Sequence, residues 1–369
     1  MESSSNVIEH VSTEIVNKVQ KKNKGQFYTV NVNYILEGFN PPTTNVIEPF
    51  AGKGDLLKWV ESFNHAEKLA IEKYDIDPKC DDCMKRDTLL DPPNYTNKFV
   101  LTNPPYLARN KSSDKTIFNK YNTNDLYKCF LLSLCIDSLE DRCAGGIIII
   151  PAGFFFSPRD IDVYCRNKFL SMYKLTKVKY FEESVFPDTP TTVVAIQFVR
   201  SERVLEEQEV LWNFLPADSN KLIKMTKAND WIIGGDIYKL PINHTLRISR
   251  YISGYNMKTG EQLTNMTLNA LDSGKTDGKI GLTYKKNFVY QAKDSSRSYA
   301  TLIIKGKILN DDEQVKVCSL FNTFLEEKRT TYNSLFLPQY RESKEYARKR
   351  IPFDLAYSIV NYILCYELE

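Results

Sequence analysis

Residues 102–106 read TNPPY, and this is the group in the chain whose residue types and spacing point most directly to chemistry. Pro104 and Pro105 each hold φ at about −65° and remove two backbone donors. Pro104 also drives Asn103 out of the helical region. The result is a stiff, carbonyl-rich corner that carries an amide and an aromatic ring. The Asn103 side-chain oxygen and the Pro104 carbonyl could both accept the hydrogens of an amine, steering its nitrogen toward sp³ character. No strong base is needed, because attack on a sulfonium can precede proton loss. Tyr106 offers a face for stacking a planar base. A base inside a duplex cannot reach such a corner and must be flipped out. A tight Pro-Pro turn without a ligand is the plain alternative.

Three acids stand in order upstream of this corner. In VIEPFAGKGDLL (46–57) an acid, Glu48, precedes a glycine turn and a helix start. Gly52 and Gly54 let backbone approach a ligand closely. The segment has neither the P-loop pattern nor the dinucleotide pattern, and a carboxylate there repels phosphate but suits an ammonium. The next strand ends in YDIDP (74–78), placing Asp75 where an acid at the tip of the second strand takes ribose hydroxyls. Asp87 in KRDTLL, after a third strand, could accept from an adenine amine. Each acid alone reads as a solvated loop residue. Together, an ammonium, a ribose and an adenine without phosphates describe S-adenosylmethionine.

The elements that must position these groups follow from the rhythm of the text. From about residue 45, short apolar runs (TNVIEPF, LAIEKYDID, KFVLTNPPY, GGIIIIPAGFFF, KLTKVKYFEE, TTVVAIQFVR) alternate with helix-like segments such as NDLYKCFLLSLCIDSLE. Near-continuous apolar strands separated by helices indicate an α/β fold with a parallel sheet covered on both faces. In such sheets ligands sit beyond the carboxyl ends of the strands, which is where each cluster falls. After about residue 200 the rhythm changes, and LWNFLPADSNKLIKMTKANDWIIGG reads as a mixed connector. The chain then turns to short strands and glycine turns, and closes on a charged helix candidate, LPQYRESKEYARKRIPFDLAYSIVNYILCYEL. The organisation expected is a catalytic domain over residues 1–225 and a mixed α+β domain over 226–369.

GQFYT (25–29), IEPFAGKGD (47–55), YDIDP (74–78), TNPPY and FPDTPTTVVAIQF (186–198) stand in the order seen in gamma-class N6-adenine DNA methyltransferases of type II restriction-modification systems, which the chain resembles over roughly residues 20–200. The resemblance implies a Rossmann-like S-adenosylmethionine-dependent methyltransferase sheet and an adenine-specific, site-specific DNA methyltransferase activity. It implies that Thr29 helps hold the methionine end of the cofactor, Glu48 its ammonium, Asp75 its ribose and Asp87 its adenine amine. Phe50, Ala51, Gly52, Gly54 and Asn103 complete that cofactor site. Asn103, Pro104 and Pro105 then form the corner that grips the target amine, Tyr106 stacks on the flipped base, and Phe186 covers its other face. Base–aromatic stacking is worth roughly 1–3 kcal/mol, enough to offset much of the few kcal/mol needed to unstack a base. Lys53, inside the glycine turn, departs from the pattern and should point outward. The resemblance further implies a monomer that acts on double-stranded DNA, accompanied by a separate cognate endonuclease that methylation blocks.

The second domain is then a target-recognition domain. SGKTDGKIGLTYKKNFVYQAKDSSRSY interleaves Lys275, Lys279, Lys285, Lys286, Lys293 and Arg297 with Tyr284, Phe288 and Tyr290, a mixture that suits a backbone-gripping surface. Lys275, Lys285, Lys286 and Arg297 are the candidate DNA contacts, and a solvated hairpin is the bland reading of the same residues. QYRESKEYARKRIPF adds Arg341, Lys344, Arg348, Lys349 and Arg350, for which a charged, solvated helix face is the commoner explanation.

Bulk properties frame these readings. The 369 residues allow two domains, and 42% apolar with 26% charged residues is ordinary for a globular chain. A net charge of +3 does not announce nucleic-acid binding, so any basic surface is local. No run of about 18 apolar residues appears, and the start lacks the pattern of a signal peptide, which favours an intracellular protein. Of eight cysteines, Cys80 and Cys83 form a C-x-x-C, but three histidines in all and no second pair leave no metal set. The competing enzymatic readings use the same Asn-Pro-Pro-Tyr chemistry on RNA adenine or on a protein glutamine. The latter's enzymes carry an N-terminal substrate domain, whereas here the extra mass is C-terminal. For N4-cytosine methylation, Ser would be more usual in place of Asn103. A DNA-binding module without catalysis would be expected to show damage at Asn103, Tyr106 or the glycine turn, and none is seen.

Overall fold

The computed structural model describes residues 31–64, 66–186, 192–272, 279–340 and 348–368. Thr29 and Lys275, together with the GQFYT block, lie outside the described residues. Contacts divide the chain into two compact units, Met1–Phe154 with Arg159–Trp231, and Phe155–Pro158 with Ile232–Glu369.

In the first unit, nine strands are β1 (Val46–Glu48), β2 (Ile71–Asp75), β3 (Met84–Lys85), β4 (Phe99–Thr102), β5 (Gly145–Pro151), β6 (Tyr173–Phe181), β7 (Val193–Arg200), β8 (Glu207–Leu215) and β9 (Ser219–Thr226). They form one sheet in the order β3-β2-β1-β4-β5-β7-β6-β8-β9. The first five run parallel. The chain leaves β1 toward β2 and β3 on one side, then returns to lay down β4 and β5 on the other. This places a topological switch point between β1 and β4, where a crevice opens beyond the strand ends. Helices α1 (Val32–Leu36), α2 (Leu57–Glu61), α3 (Thr116–Lys120), α4 (Leu126–Leu134) and α5 (Asp160–Met172) accompany the strands. β4 is buried throughout and β5 in all but its last residue, as strands covered on both faces require.

The sheet is mixed rather than parallel. β7 lies between β5 and β6 and is antiparallel to both. The β6–β7 link, residues 182–192, is too short to hold a crossover helix, so the returning strand reverses direction. The continuous burial of Val193–Phe198 carries no mark of direction. The stretch read as a connector is the hairpin β8–β9, joined across Pro216–Asp218. Its alternating burial from Glu207 to Trp212 is the period-2 signal of a strand with one covered face.

The second unit is mixed α and β. β10 (Arg247–Arg250), β11 (Glu261–Asn269), β12 (Gly281–Tyr284) and β13 (Tyr299–Lys305) pair antiparallel in the order β10-β13-β11-β12. The long helix α6 (Asp311–Tyr332) opens with a capping box between Asn310 and Glu313. Leu268, Leu302 and Ile304 of the sheet share one core with Phe321 and Leu325 of α6 and with Ile359 and Ile363 of α7 (Phe353–Tyr366). The charged stretch before α7 is not helical at its described ends. β14 (Gln339–Tyr340) pairs antiparallel with β15 (Arg348–Lys349), and Pro352 then caps the apolar helix. Proline there suits a helix start and little else. Among the described residues, no helix is long and apolar enough to cross a membrane.

Gly146 lets β4 and β5 approach. A Cβ there would lie 2.1 Å from the Val100 carbonyl oxygen, which is backbone and has no room to retreat. Gly146→Ala is expected to destabilise the first unit by about 3 kcal/mol, lowering its melting temperature by roughly 6–12 °C, as read by thermal denaturation followed by circular dichroism.

Candidate active site at the strand ends of the first unit

Glu48 is the last residue of β1, Asp75 the last of β2, and Asn103 follows the last residue of β4. Asp87 comes two residues after β3. The strand order therefore brings all four acidic and amide groups to the same edge of the sheet, on both sides of the switch point.

The glycine turn is held by Asp75. Its Oδ2 accepts from the Gly52 N–H at 2.8 Å, and its Oδ1 from the Asp77 N–H at 2.7 Å. The Ala51 N–H donates to the Tyr74 carbonyl and the Gly54 N–H to the Ala51 carbonyl, at 2.8 and 2.7 Å. Gly52 and Gly54 sit at φ +53° and +73°, the left-handed region that other residues enter at a cost. Ala51 is buried, and Phe50 meets Phe130 edge-on with centroids 5.2 Å apart. Lys53 is exposed, as its charge demands.

Glu48 is 1% exposed, and its Oε2 has no hydrogen-bond partner among the described residues. Burial, then the Asp75 and Asp55 carboxylates, push its pKa well above the ordinary carboxylate range, with Lys73 offsetting a part. A buried, orphaned carboxylate is costly in an empty site. It fits a cationic ligand group, which would satisfy the oxygen and lower the pKa together. Asp87 Oδ1 accepts from the Leu89 and Leu90 N–H groups at 3.1 and 3.0 Å, so part of this acid's job is to shape its own turn.

At the corner, the Tyr106 hydroxyl lies 2.5 Å from Asn103 Oδ1 and 2.8 Å from the Ile149 carbonyl oxygen. One proton serves two acceptors. Burial, then the Asp125 charge, push the Tyr106 pKa well above 10.0, so the phenol stays a donor. Pro104 is buried, and Pro105 and Tyr106 are half-buried. Phe186 is 2% exposed within the apolar cluster against which Tyr106 packs. Phe186, expected to cover one face of a base, is thus itself covered by protein.

Sequence reasoning missed Asp125. It stands at the start of α4, bridged to Ala108 at the exit of the TNPPY corner, with the Leu126 N–H donating to the Leu107 carbonyl. Its Oδ1 has no hydrogen-bond partner among the described residues. Burial pushes its pKa up to about 6, against the pull of Lys128 and of nearby N–H groups. The only signal in the text was an acid directly before a helical apolar run, which reads as an N-cap. Beside it, Lys128 is buried and pairs with the equally buried Asp162, whose Oδ2 also accepts from Arg159 at 2.8 Å.

Cys80 and Cys83 are half-buried near the glycine turn, and burial and the Cys80 thiol push Cys83 up to about 12. No group of three metal-ligating side chains occurs among the described residues. In the second unit, Lys285, Lys286 and Arg297 are exposed. Lys285 lies over the Phe288 ring at 4.9 Å, whereas Lys286 turns to Asp311 at 3.2 Å.

No family model and no curated protein matches the chain. Solved structures resemble parts of it. A modification subunit assigned to a type I restriction enzyme of Vibrio vulnificus YJ016 aligns with TM-score 0.40 and 16% identity, covering 60% of this chain and 54% of that one. The methyltransferase subunit of the Streptococcus thermophilus type I restriction-modification system gives 0.38 and 14%, over 51% and 47%. The M protein of the type I restriction enzyme EcoKI gives 0.35 and 14%, over 47% and 45%. The chain thus aligns with about half the length of each of these structures.

Two substitutions test the electrostatics without any ligand. Asp125 binds its proton more tightly folded than unfolded, so its ionisation opposes folding increasingly from pH 4 to above 6. Asp125→Asn is expected to remove up to about 3 kcal/mol of that opposition at pH 7 and nothing below pH 4, seen as a flatter profile of melting temperature against pH. Glu48→Gln should likewise raise the melting temperature at neutral pH, with the gain vanishing in acid.

Proposed function

We propose that the chain is a site-specific DNA methyltransferase that transfers a methyl group from S-adenosylmethionine to the N6 amine of an adenine flipped out of a duplex. The observation that carries this reading is the orphaned, buried Glu48 carboxylate at the end of β1, across the switch point from the Asn103-Pro104-Pro105-Tyr106 corner after β4. The first group needs a cation and the second accepts the hydrogens of an amine. Together they specify a cationic donor and an amine acceptor.

In this reading Glu48 takes the cofactor ammonium. Asp75, already braced by the Gly52 and Asp77 N–H groups, uses its remaining lone pairs on the ribose hydroxyls. Asp87 takes the adenine amine with Oδ2, while Oδ1 keeps its turn. Phe50, Ala51, Gly52 and Gly54 form the wall that lets the cofactor lie close to backbone. Bound there, S-adenosylmethionine supplies an electrophilic methyl group on a sulfonium. Asn103 Oδ1 and the Pro104 carbonyl hold the two hydrogens of the target amine and aim its lone pair. Tyr106 leaves Asn103 and Ile149 to stack on the base, and Phe186 supplies the other face. Thr29 is proposed to steady the methionine end. The second unit is proposed to contact duplex DNA through Lys275, Lys285, Lys286 and Arg297, with the chain acting as a monomer inside the cell beside a separate cognate endonuclease.

The test is methyl transfer from labelled S-adenosylmethionine to unmethylated genomic duplex, with RNA and a glutamine-bearing peptide as parallel substrates and products identified by mass. N6-methyladenine in the duplex is expected, reduced by about a hundredfold or more in Asn103→Ala. Label only in RNA or peptide would overturn the assignment of the substrate. Glu48→Gln is expected to weaken S-adenosylmethionine binding by about ten- to a hundredfold, measured by calorimetry, while the folded state is not weakened.

A further inference from the structure

The second unit carries a groove that the strand-end site does not use. About 790 Å³ in volume, it is lined by residues of β11, of β12, the edge strand of the antiparallel sheet, of the start of β13 and of α6. That volume falls in the ordinary range for small-ligand sites. Tyr290 and Tyr299 line it with ring centroids 5.6 Å apart at 44°. Tyr299 is 42% exposed. Lys285 and Lys279, both exposed, bring cations to the lining, and Glu326 on α6 brings a carboxylate.

The groove is built rather than incidental. Asn322 of α6 grips the edge strand from both sides, its Oδ1 accepting from the Leu282 N–H and its Nδ2 donating to the Leu282 carbonyl, each at 2.9 Å. Gly281 makes room for this clamp, since a Cβ there would lie 2.6 Å from Asn322 Oδ1. The Tyr290 N–H is fixed on the Thr301 hydroxyl at 2.7 Å, and the Tyr299 backbone by its pairing with β11. Walls held this way are set before any ligand arrives, which lowers the entropy lost on binding.

The chemistry is that of an unstacked nucleotide. The exposed Tyr299 ring offers a stacking face, lysines suit a phosphate, and a carboxylate accepts from an exocyclic amine. We propose that this groove binds one unpaired, amine-bearing nucleotide of a nucleic-acid strand, with the base on Tyr299, the amine on Glu326 and the phosphate on Lys285. The site is separate from the one that would receive the methylated base, and the proposal does not rest on methyl transfer.

The experiment uses the full chain carrying Asn103→Ala, so that methylation plays no part and its failure leaves this measurement untouched. Fluorescence anisotropy with labelled oligo(dC) and oligo(dT) twelve-mers of equal length reads the binding. Oligo(dC) is expected to bind several-fold more tightly than oligo(dT). Tyr299→Ala should weaken oligo(dC) by about tenfold, Glu326→Ala should bring the two oligonucleotides to equal affinity, and Lys285→Ala should reduce the salt slope by about 0.7. Lys285 and Glu326 are exposed, so these two variants keep the test open if Tyr299→Ala fails to fold. Equal binding of the two oligonucleotides by the parent chain, or affinity unchanged in the three variants, would overturn the proposal. So would free deoxycytidine monophosphate binding as tightly as the strand.

Discussion

The first unit buries the Glu48 carboxyl with one oxygen left without a partner among the described residues. A carboxylate buried at the end of β1, facing two more acids, works against folding at neutral pH, and Lys73 relieves only a part of this. The sheet around it is well packed. β4 and β5 are buried along their length, aromatic side chains such as Phe169, Tyr173 and Phe198 pack at centroid distances of 5.0–5.2 Å, and the glycine turn is tied down by Asp75. Instability concentrated at a strand end, in a molecule well packed elsewhere, is how binding sites are commonly built. The turn beyond it is glycine-rich because Gly52 and Gly54 sit in the left-handed region.

Asp75 couples the parts of this arrangement. It belongs to the strand next to β1, yet its two oxygens hold the N–H groups of Gly52 and Asp77. Turn and strand end therefore move as one piece, and the acid that would meet a ribose is the same acid that sets the turn. Asp87 repeats the device one strand further out, with Oδ1 closing its own turn. Each of these acids is oriented by backbone before a ligand arrives.

Much of this was legible in the text. The apolar runs before Glu48, Asp75 and Asn103 put these residues at strand ends, and the position after an acid marks the glycines. Direction is not legible, because a strand buried on both faces reads alike whichever way it runs, and β7 reads as parallel in the text but runs antiparallel. The β8–β9 hairpin was hidden by lysines and glutamates on its exposed face, although Val210, Trp212 and Phe214 alternate beneath them. The Asn310–Glu313 capping box announced α6 plainly and went unread, whereas the charged run before Pro352 looked helical by composition alone. Asp125 could not be recognised at all, since its altered proton affinity arises from burial against a loop seventeen residues upstream.

The Tyr106 hydroxyl on Asn103 and Ile149 gives the corner an occupant of its own. In the resting chain, two acceptors share one hydrogen from the same polypeptide. A guest that replaces the phenol must bring hydrogens to return. An amine would return a hydrogen to Asn103, whereas a base edge that presents a carbonyl would bring none and set oxygen against oxygen. A corner whose acceptors are already held by a phenol would thus take a hydrogen donor in its place more readily than a bare acceptor.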